Sequence, residues 1–464
     1  MDLFHWHIFP RRELEDIATR APEMLVDIIV SLQERLWRQE DRLNELENRL
    51  KQDSHNSHQP PSSDTYAKPA PKSLREKSAR PSGGQPGHPG HTLKAVARPD
   101  HRIVHPLRRC SRGHPLIQAP VIRHEKRQVF DLPILGMEVV EHQAEVKVCP
   151  TCEEPVTASF PSGVEAPVQY GPRFLTLLAY WRDAQLLPLE RIRQMAFDLF
   201  SQWVSQATIQ GAVISTAEAL APFQQDLETG IQNAPQLHAD ETGLRVNGKG
   251  HWLHVLSTPE LTWYGMHPKR GRDAMEDFGL LPDFRGRLIH DEFSPYWTYG
   301  REHVLCNAHH ARELVFAAEE EHQNWAARLK ILLERANRKR HERGPLTPRQ
   351  VHDTRKRYRD LLSDASPPPG SKAHSLRRRL LKFEGPTLAF LNDPSIPFTN
   401  NQAEQDLRMM KVQQKISGSF RTFKGAQLFA RLRSYIATLR KHRQSVWEGL
   451  TDALRGHPFL PTAA

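Results

Sequence analysis

From Gln52 to Pro99 the sequence turns to Pro, Ser, Gly, His and Lys and loses the residues that could bury a core. Pro60-Pro61-Ser62-Ser63-Asp64 and the run Gly83 to His91, rich in Gly, Pro and His, predict a flexible tether. The segments on either side of it must therefore fold or assemble apart from each other. A chain of 464 residues has room for two to four domains and needs no covalent staple for bulk stability.

Before the tether, over residues 1–51, Leu25, Ile29, Leu32, Leu36, Gln39, Leu43, Leu46 and Leu50 recur at spacings of four and three. That is the heptad rule of a coiled coil, with Gln39 as the polar seam residue that fixes register. It predicts a homodimer or higher oligomer, against the plainer reading of an amphipathic helix docked on its own chain.

Beyond the tether, residues 100–165 read as a small β-rich module. Residues 127–133 and 137–148 alternate apolar and polar side chains, as half-buried strands do. Residues 166–235 are helical, with Ser205 as an N-cap opening the helix from Gln206. Two helices around Ser201–Ser205 resemble a DNA-reading helix-turn-helix, with an ordinary helical hairpin as the alternative.

From 236 to 440 three strands, a helix, a strand, a short helix and a strand come in the order of a ribonuclease-H-like sheet. Asn247-Gly248 is good hairpin chemistry between the first two strands. A helical insertion covers about 313–395, and residues 441–464 read as a C-terminal tail. The fold class expected is multidomain α+β: coiled coil, β module, helical domain, and an α/β catalytic domain carrying a helical insertion.

Charge narrows the partner. The net charge is +10, yet residues 330–384 carry 16 basic against 6 acidic side chains, and residues 405–443 carry 10 against 1. Residues 66–114 add 11 against 2. Such concentration points to nucleic acid. No apolar run is long enough to span a bilayer, the first residues lack a basic-then-apolar leader, and four cysteines make no disulfide framework. A cytoplasmic protein is expected.

Three acids carry the chemistry. Asp240 lies in the first strand of the sheet, Asp291 comes just after the fourth, and Glu404 sits early in the last long helix. Neighbouring first and fourth strands would bring the two aspartates together, and a crossing helix would add the glutamate. Hard oxygen ligands suit Mg²⁺ or Mn²⁺, and such sites carry out phosphodiester chemistry. Glu241 and Glu292 are rival ligands. Asn401, Glu404, Arg408, Lys411 and Lys415 share one helix face, where the cations can meet a DNA backbone. Cys306 reads as a core thiol, while His309, His310 and Arg312 open a helix that can approach phosphate. A metal cluster of Cys306, His309 and His310 is the less favoured reading.

These motifs resemble the insertion-sequence-66 family of bacterial transposases. His238-Ala-Asp-Glu-Thr242, Asp291 with Tyr296, and Asn400-Asn-Gln-Ala-Glu404 with Arg408 match its three acidic motifs. Cys306-Asn-Ala-His-His-Ala-Arg312, the two tether motifs and residues 127–133 match as well. The resemblance implies that Asp240, Asp291 and Glu404 are catalytic metal ligands. It also implies DNA cleavage and strand transfer at the terminal inverted repeats of a mobile element. Accessory element-encoded proteins are possible partners, and such a substrate implies nucleoid association. Family members commonly carry two Cys-x-x-Cys knuckles. Here the second is Cys149-Pro-Thr-Cys152 and the first has become Cys110-Ser-Arg-Gly-His114, so a structural Zn²⁺ would take three thiolates and an imidazole, with His101 and His105 as competing ligands. The rival functions are a non-catalytic zinc-containing DNA-binding regulator and a ribonuclease-H-like nuclease without strand transfer.

Overall fold

A computed structural model describes residues 10–50, 93–133 and 135–462. The two Pro/Gly motifs of the tether lie outside the described residues. No described helix is long and apolar enough to cross a membrane.

Helices α1 (Arg11–Arg20) and α2 (Pro22–Leu50) are separated at Ala21, where Pro22 starts the second helix without needing an N–H donor. Of the α2 residues, Ile28 is buried and Leu25 half-buried, while Ile29, Leu32, Leu36, Leu43 and Leu46 of the heptad seam are exposed. The seam is thus left over after the helix has made its contact with α1.

Residues 75–213 form a compact unit of their own. In it β1 (Val146–Val148) pairs antiparallel with β2 (Pro155–Thr157) across the turn holding Cys149 and Cys152. The module is less β-rich than its alternation suggests. Residues 127–133 form no ladder, Val129 is 90% exposed, and of 137–148 only the last three residues pair. Alternation marks two faces but makes a strand only where a partner strand supplies hydrogen bonds. Gln128 instead uses its side-chain amide to hold both backbone groups of Val96, each at 2.7 Å.

The same unit contains α3 (Pro172–Ala179), continued by a π turn at 180–184, then α4 (Leu189–Phe200) and the start of α5 (Gln206–Ala219). Phe174, Leu178, Trp181, Ile192 and Ile209 make its core. Ser201 ends α4 in a left-handed conformation (φ 55°), and Ser205 Oγ accepts the Thr208 N–H at 3.0 Å, capping α5 as expected.

The division between units falls at 213/214, inside α5, and not near 235. Helix α6 (Ala221–Gln232) belongs with the sheet: Phe223 and Leu227 are fully buried, and the Phe223 ring meets Tyr435 at 4.7 Å.

The sheet contains β3 (Gln236–Val246), β4 (Lys249–Ser257) and β5 (Thr262–His267), then α7 (Arg272–Phe278), β6 (Arg287–His290) and β7 (Glu302–Leu305). Its order is β5-β4-β3-β6-β7, with the first three antiparallel and β3, β6 and β7 parallel. Asn247 and Gly248, at φ 48° and 74°, make the hairpin turn their identities predict.

After β7 come α8 (Asn307–Glu319), α9 (Asn324–Arg343), α10 (Pro348–Ser363), α11 (Lys372–Lys382) and the short α12 (Glu384–Thr387). Their core of Leu329, Leu333, Tyr358, Leu376 and Phe390 is continuous with Ile289 and Val304 of β6 and β7. The insertion is therefore welded to the sheet by shared apolar burial.

The chain closes with α13 (Asn401–Ser417), α14 (Phe423–Lys441) and α15 (Val446–Leu454). Helix α14 covers edge strand β5: Ser434 Oγ accepts the Tyr264 N–H at 2.9 Å, and Thr438 Oγ1 accepts that of Thr262 at 3.2 Å. The expected tail is part of this unit, because α15 buries Leu450 and Ala453, and Tyr435 donates its hydroxyl to the Gly449 carbonyl.

One polar knot pins α13 to the sheet. Asp406 Oδ2 accepts from Lys441 Nζ (2.9 Å), Ser257 Oγ (2.7 Å) and Thr262 Oγ1 (3.2 Å), with both charged side chains 14% exposed or less. Asp406→Ala leaves the Lys441 ammonium buried without its counter-ion, at a cost of about 3–5 kcal/mol. The denaturant midpoint should fall accordingly with an unchanged slope, whereas Asp406→Asn, which keeps an acceptor, should lose less.

Candidate active site

The parallel pairing of β3 with β6 sets the site. His238 lies opposite Ile289, so the same register carried two residues further brings Asp240 beside Asp291. Because side chains alternate along a strand, Asp240 and its neighbour Glu241 point to opposite faces. Asp240 keeps some solvent-accessible surface, yet its carboxyl is raised well above the ordinary range. Burial is the first cause, and the negative charges of Glu241, Asp291 and Glu404 add to it. Asp240, Asp291 and Glu404, named from the sequence, are thus gathered at one place.

The two rival acids are turned away and engaged. Glu241 accepts from Arg270 Nε at 2.7 Å and from the Tyr296 hydroxyl at 2.6 Å, with its side chain 1% exposed. Arg270 lies over the Phe293 and Trp252 rings at 4.1 and 5.0 Å. Glu292 accepts from Arg379 Nη1 at 2.9 Å and has His310 Nε2 at 3.6 Å; Arg379 Nη2 donates to Glu313 at 2.7 Å. Arg379 belongs to α11, so the insertion reaches the residue next to Asp291.

The turn bearing Asp291 is determined several times over. Glu292 has φ 79°, a left-handed conformation that is unusual for glutamate. His290 Nδ1 accepts the Glu292 N–H at 3.1 Å, and Asp291 Oδ1 accepts the Phe293 N–H at 3.0 Å. Burial, with the charge of His303, pushes His290 down to about 3, so its ring stays neutral and keeps that acceptor. Its other nitrogen donates to His303 Nδ1 at 3.2 Å.

Glu404 is placed by Asn400, which is fully buried at the start of α13. Asn400 Nδ2 donates to the Ala239 carbonyl (2.8 Å) and Oδ1 accepts from His238 Nδ1 (2.8 Å), while its backbone N–H points at Cys306 Sγ (3.0 Å). One side chain thus links the strand of Asp240 to the helix of Glu404. Cys306 Sγ lies 3.8 Å and His309 Nε2 3.9 Å from Glu404 Oε1.

Asn401, Arg408, Lys411 and Lys415 are exposed on α13, opposite buried Ala403, Leu407 and Met410. His309 and Arg312 are half-buried. His310 is 3% exposed and faces Asn307 and Glu292, which leaves it no surface for a phosphate; burial makes it a support of the Asp291 turn.

In the other unit, Cys149 and Cys152 share the hairpin turn, where the backbone N–H groups of Cys152 and Thr151 and the Cys152 side chain lower the Cys149 thiol to about 7. Cys110 and His114 bracket a second tight turn, with the Cys110 N–H on the His114 carbonyl at 3.0 Å. Among the described residues, the ligand-type side chains that lie within 4.8 Å of one another are Cys306, His309 and Glu404, and not this set of four.

Sequence reasoning missed the roles of Asn400, Asp406, Arg270 and Arg379. An asparagine at the start of a helix before an acidic motif was a usable signal for the first; the charge partners of the others lie 29 to 87 residues away.

Residues 167–428 match a family model described as Transposase IS66 family, and residues 12–94 match one described as a family of unknown function. No curated protein matches the chain.

The crowded carboxylates make stability depend on pH. A raised folded-state Asp240 means that the native state holds more protons than the unfolded one, so stability falls as pH rises from the ordinary carboxylate range through the raised value. In chelator, Asp240→Asn should remove much of that fall and raise the thermal midpoint at neutral pH. Arg379→Ala should lower stability by about 2 kcal/mol through the unmet Glu292 carboxylate, measured by urea denaturation.

Proposed function

The chain belongs to the IS66 family of transposases, and on that premise we propose that Asp240, Asp291 and Glu404 are its catalytic triad, on a ribonuclease-H-like domain. The observation that carries this reading is that strand register sets Asp240 beside Asp291 and Asn400 ties the first turn of the Glu404 helix to the Asp240 strand, while Glu241 and Glu292 each meet an arginine. The strand order, with an antiparallel meander joined to parallel β6 and β7, supports the same assignment.

The residues fit a divalent cation. Two carboxylates set side by side by strand register, with a third on the helix that Asn400 ties to the same strand, are the oxygen donor set that Mg²⁺ or Mn²⁺ takes. A bound ion supplies charge neutralisation and Lewis acidity toward a phosphodiester. The chain's own residues do the rest. The Asx turn holds Asp291, Asn400 holds Glu404 against β3, and Arg270 offers a partly exposed guanidinium at the rim of the cluster. Exposed Asn401, Arg408, Lys411 and Lys415 would lie along the DNA backbone, with His309 and Arg312 nearer the acids. The reaction is cleavage at the element ends, freeing a 3′ hydroxyl that then attacks target DNA in line.

A structural Zn²⁺ held by Cys110, His114, Cys149 and Cys152 would require the Cys110–His114 turn to close on the hairpin turn of Cys149 and Cys152, because the four ligand atoms are not gathered together. The exposed heptad stripe of α2 supports self-association through a coiled coil. The helical pair of α4 and α5 would supply DNA contacts, and acting on bacterial DNA places the protein in the cytoplasm.

Asp240→Asn, Asp291→Asn and Glu404→Gln should each lose more cleavage of element-end DNA than the roughly 10–100-fold that results from loss of an outer-shell partner. Wild-type activity in any of them refutes the triad. Tight binding with no nicking by wild type would favour the regulator, and nicking without joined products would favour a nuclease. Replacing Arg408, Lys411 and Lys415 with Gln should weaken binding evenly across sequences. It should also reduce the slope of log affinity against log salt by about one per lost phosphate contact.

A further inference from the structure

Cys306, His309 and Glu404 come together from three places: the end of β7, the first turn of α8 and the first turn of α13. Sγ and Oε1 are 3.8 Å apart and Nε2 and Oε1 3.9 Å, with all three ligand atoms within 4.8 Å of one another. A tetrahedral zinc, bonded at about 2.3 Å to sulfur and 2.0–2.2 Å to nitrogen and oxygen, separates its ligands by roughly 3.3–3.7 Å. The two pairs at Glu404 need to close by only a few tenths of an ångström, and the Cys306–His309 pair, within 4.8 Å, by about 1 Å at most.

The sulfur is also prepared for an anion. Asn400 aims its backbone N–H at Sγ from 3.0 Å, and the backbone N–H groups of His309 and Ala308 favour the thiolate from the start of the 13-residue helix α8. Hydrogen bonds of this kind orient thiolates in metal sites. The side chains of His309 and Glu404 are 13% and 27% exposed, which leaves a path for an ion and a fourth position for water.

We propose that Cys306, His309 and Glu404 form a binding site for a soft divalent cation, Zn²⁺ above all, which draws Glu404 away from its oxygen-ligand role and so inhibits the enzyme. Binding forms one bond each to sulfur, nitrogen and oxygen, and the Cys306 proton leaves to solvent. Mg²⁺ takes neither thiolate nor this geometry, so the two ions compete for one carboxylate without sharing a site. The inhibition rests on Glu404 being a catalytic ligand; the binding does not. The metal cluster that the sequence raised and did not favour had His310 as its third member, but His310 is committed to Glu292, and Glu404 takes its place.

Cobalt(II) tests the binding through its thiolate charge-transfer absorption. In the full chain carrying Cys110→Ser, Cys149→Ser and Cys152→Ser, one Co²⁺ per chain should still give the thiolate band with tetrahedral ligand-field bands. Adding Cys306→Ser should abolish both, and adding His309→Ala should weaken binding at least tenfold. No thiolate band in the triple variant overturns the site. Should that variant fail to fold, the wild-type spectrum minus that of Cys306→Ser gives the same information, and identical spectra overturn it. Zn²⁺ should inhibit Mg²⁺-dependent cleavage, and Cys306→Ser should raise the inhibiting concentration at least tenfold; cobalt binding with unchanged zinc sensitivity refutes the inhibitory role. If Glu404→Gln instead retains cleavage, the catalytic reading fails, while the cobalt spectrum still reports on the site.

Discussion

Carboxylates that repel one another are held at one end of a sheet, and much of the surrounding structure serves to keep them there. Three acids, Glu241, Asp291 and Glu404, contribute to a field that raises the Asp240 carboxyl well above its usual range, on top of its burial. Left to itself such a cluster would spread apart or take up protons. Here two of the five acids in the neighbourhood are neutralised by arginine, Glu241 by Arg270 and Glu292 by Arg379. The remaining three stay mutually unfavourable, which is the condition under which a divalent cation binds with most to gain.

Each of the three acids is held by a different device. Asp240 owes its position to strand register, a property of the whole β3–β6 pair. Asp291 sits in a turn whose next residue adopts a left-handed conformation, retained because a neutral His290, the Phe293 N–H, His310 and Arg379 all hold it. Glu404 rides on a helix pinned at its first turn by Asn400 and again by the Asp406–Lys441 pair. Strain of this kind is usual where geometry matters more than stability. The helical insertion takes part as well, since its core is continuous with β6 and β7 and its Arg379 reaches Glu292.

Cys306 shows how one residue can be read in two ways. From sequence it is an apolar strand's last residue, and it is indeed fully buried. In space it also receives the Asn400 backbone N–H and faces Glu404 and His309, the other donors of the proposed cation site. Burial alone does not distinguish the two; the orientation of the surrounding donors does.

Local pattern was enough for the elements of the sheet. Alternation, the Asn247-Gly248 turn and the short connections located β3 to β7 to within a residue or two at most ends, because the hydrophobic period matched and the β3–β4 and β4–β5 partners lay close in sequence. It also singled out Asp240, Asp291 and Glu404 as candidates. Alternation failed in residues 127–133, which have no partner strand among the described residues, and the apolar Leu450 and Ala453 that pack α15 were passed over in a stretch read as a tail. Which acids face the site and which face an arginine was beyond the sequence: Asp240 and Glu241 are adjacent and chemically alike. Only strand register, the Glu292 backbone and arginines distant along the chain separate their roles, because charge pairing depends on distance through space and not along the chain.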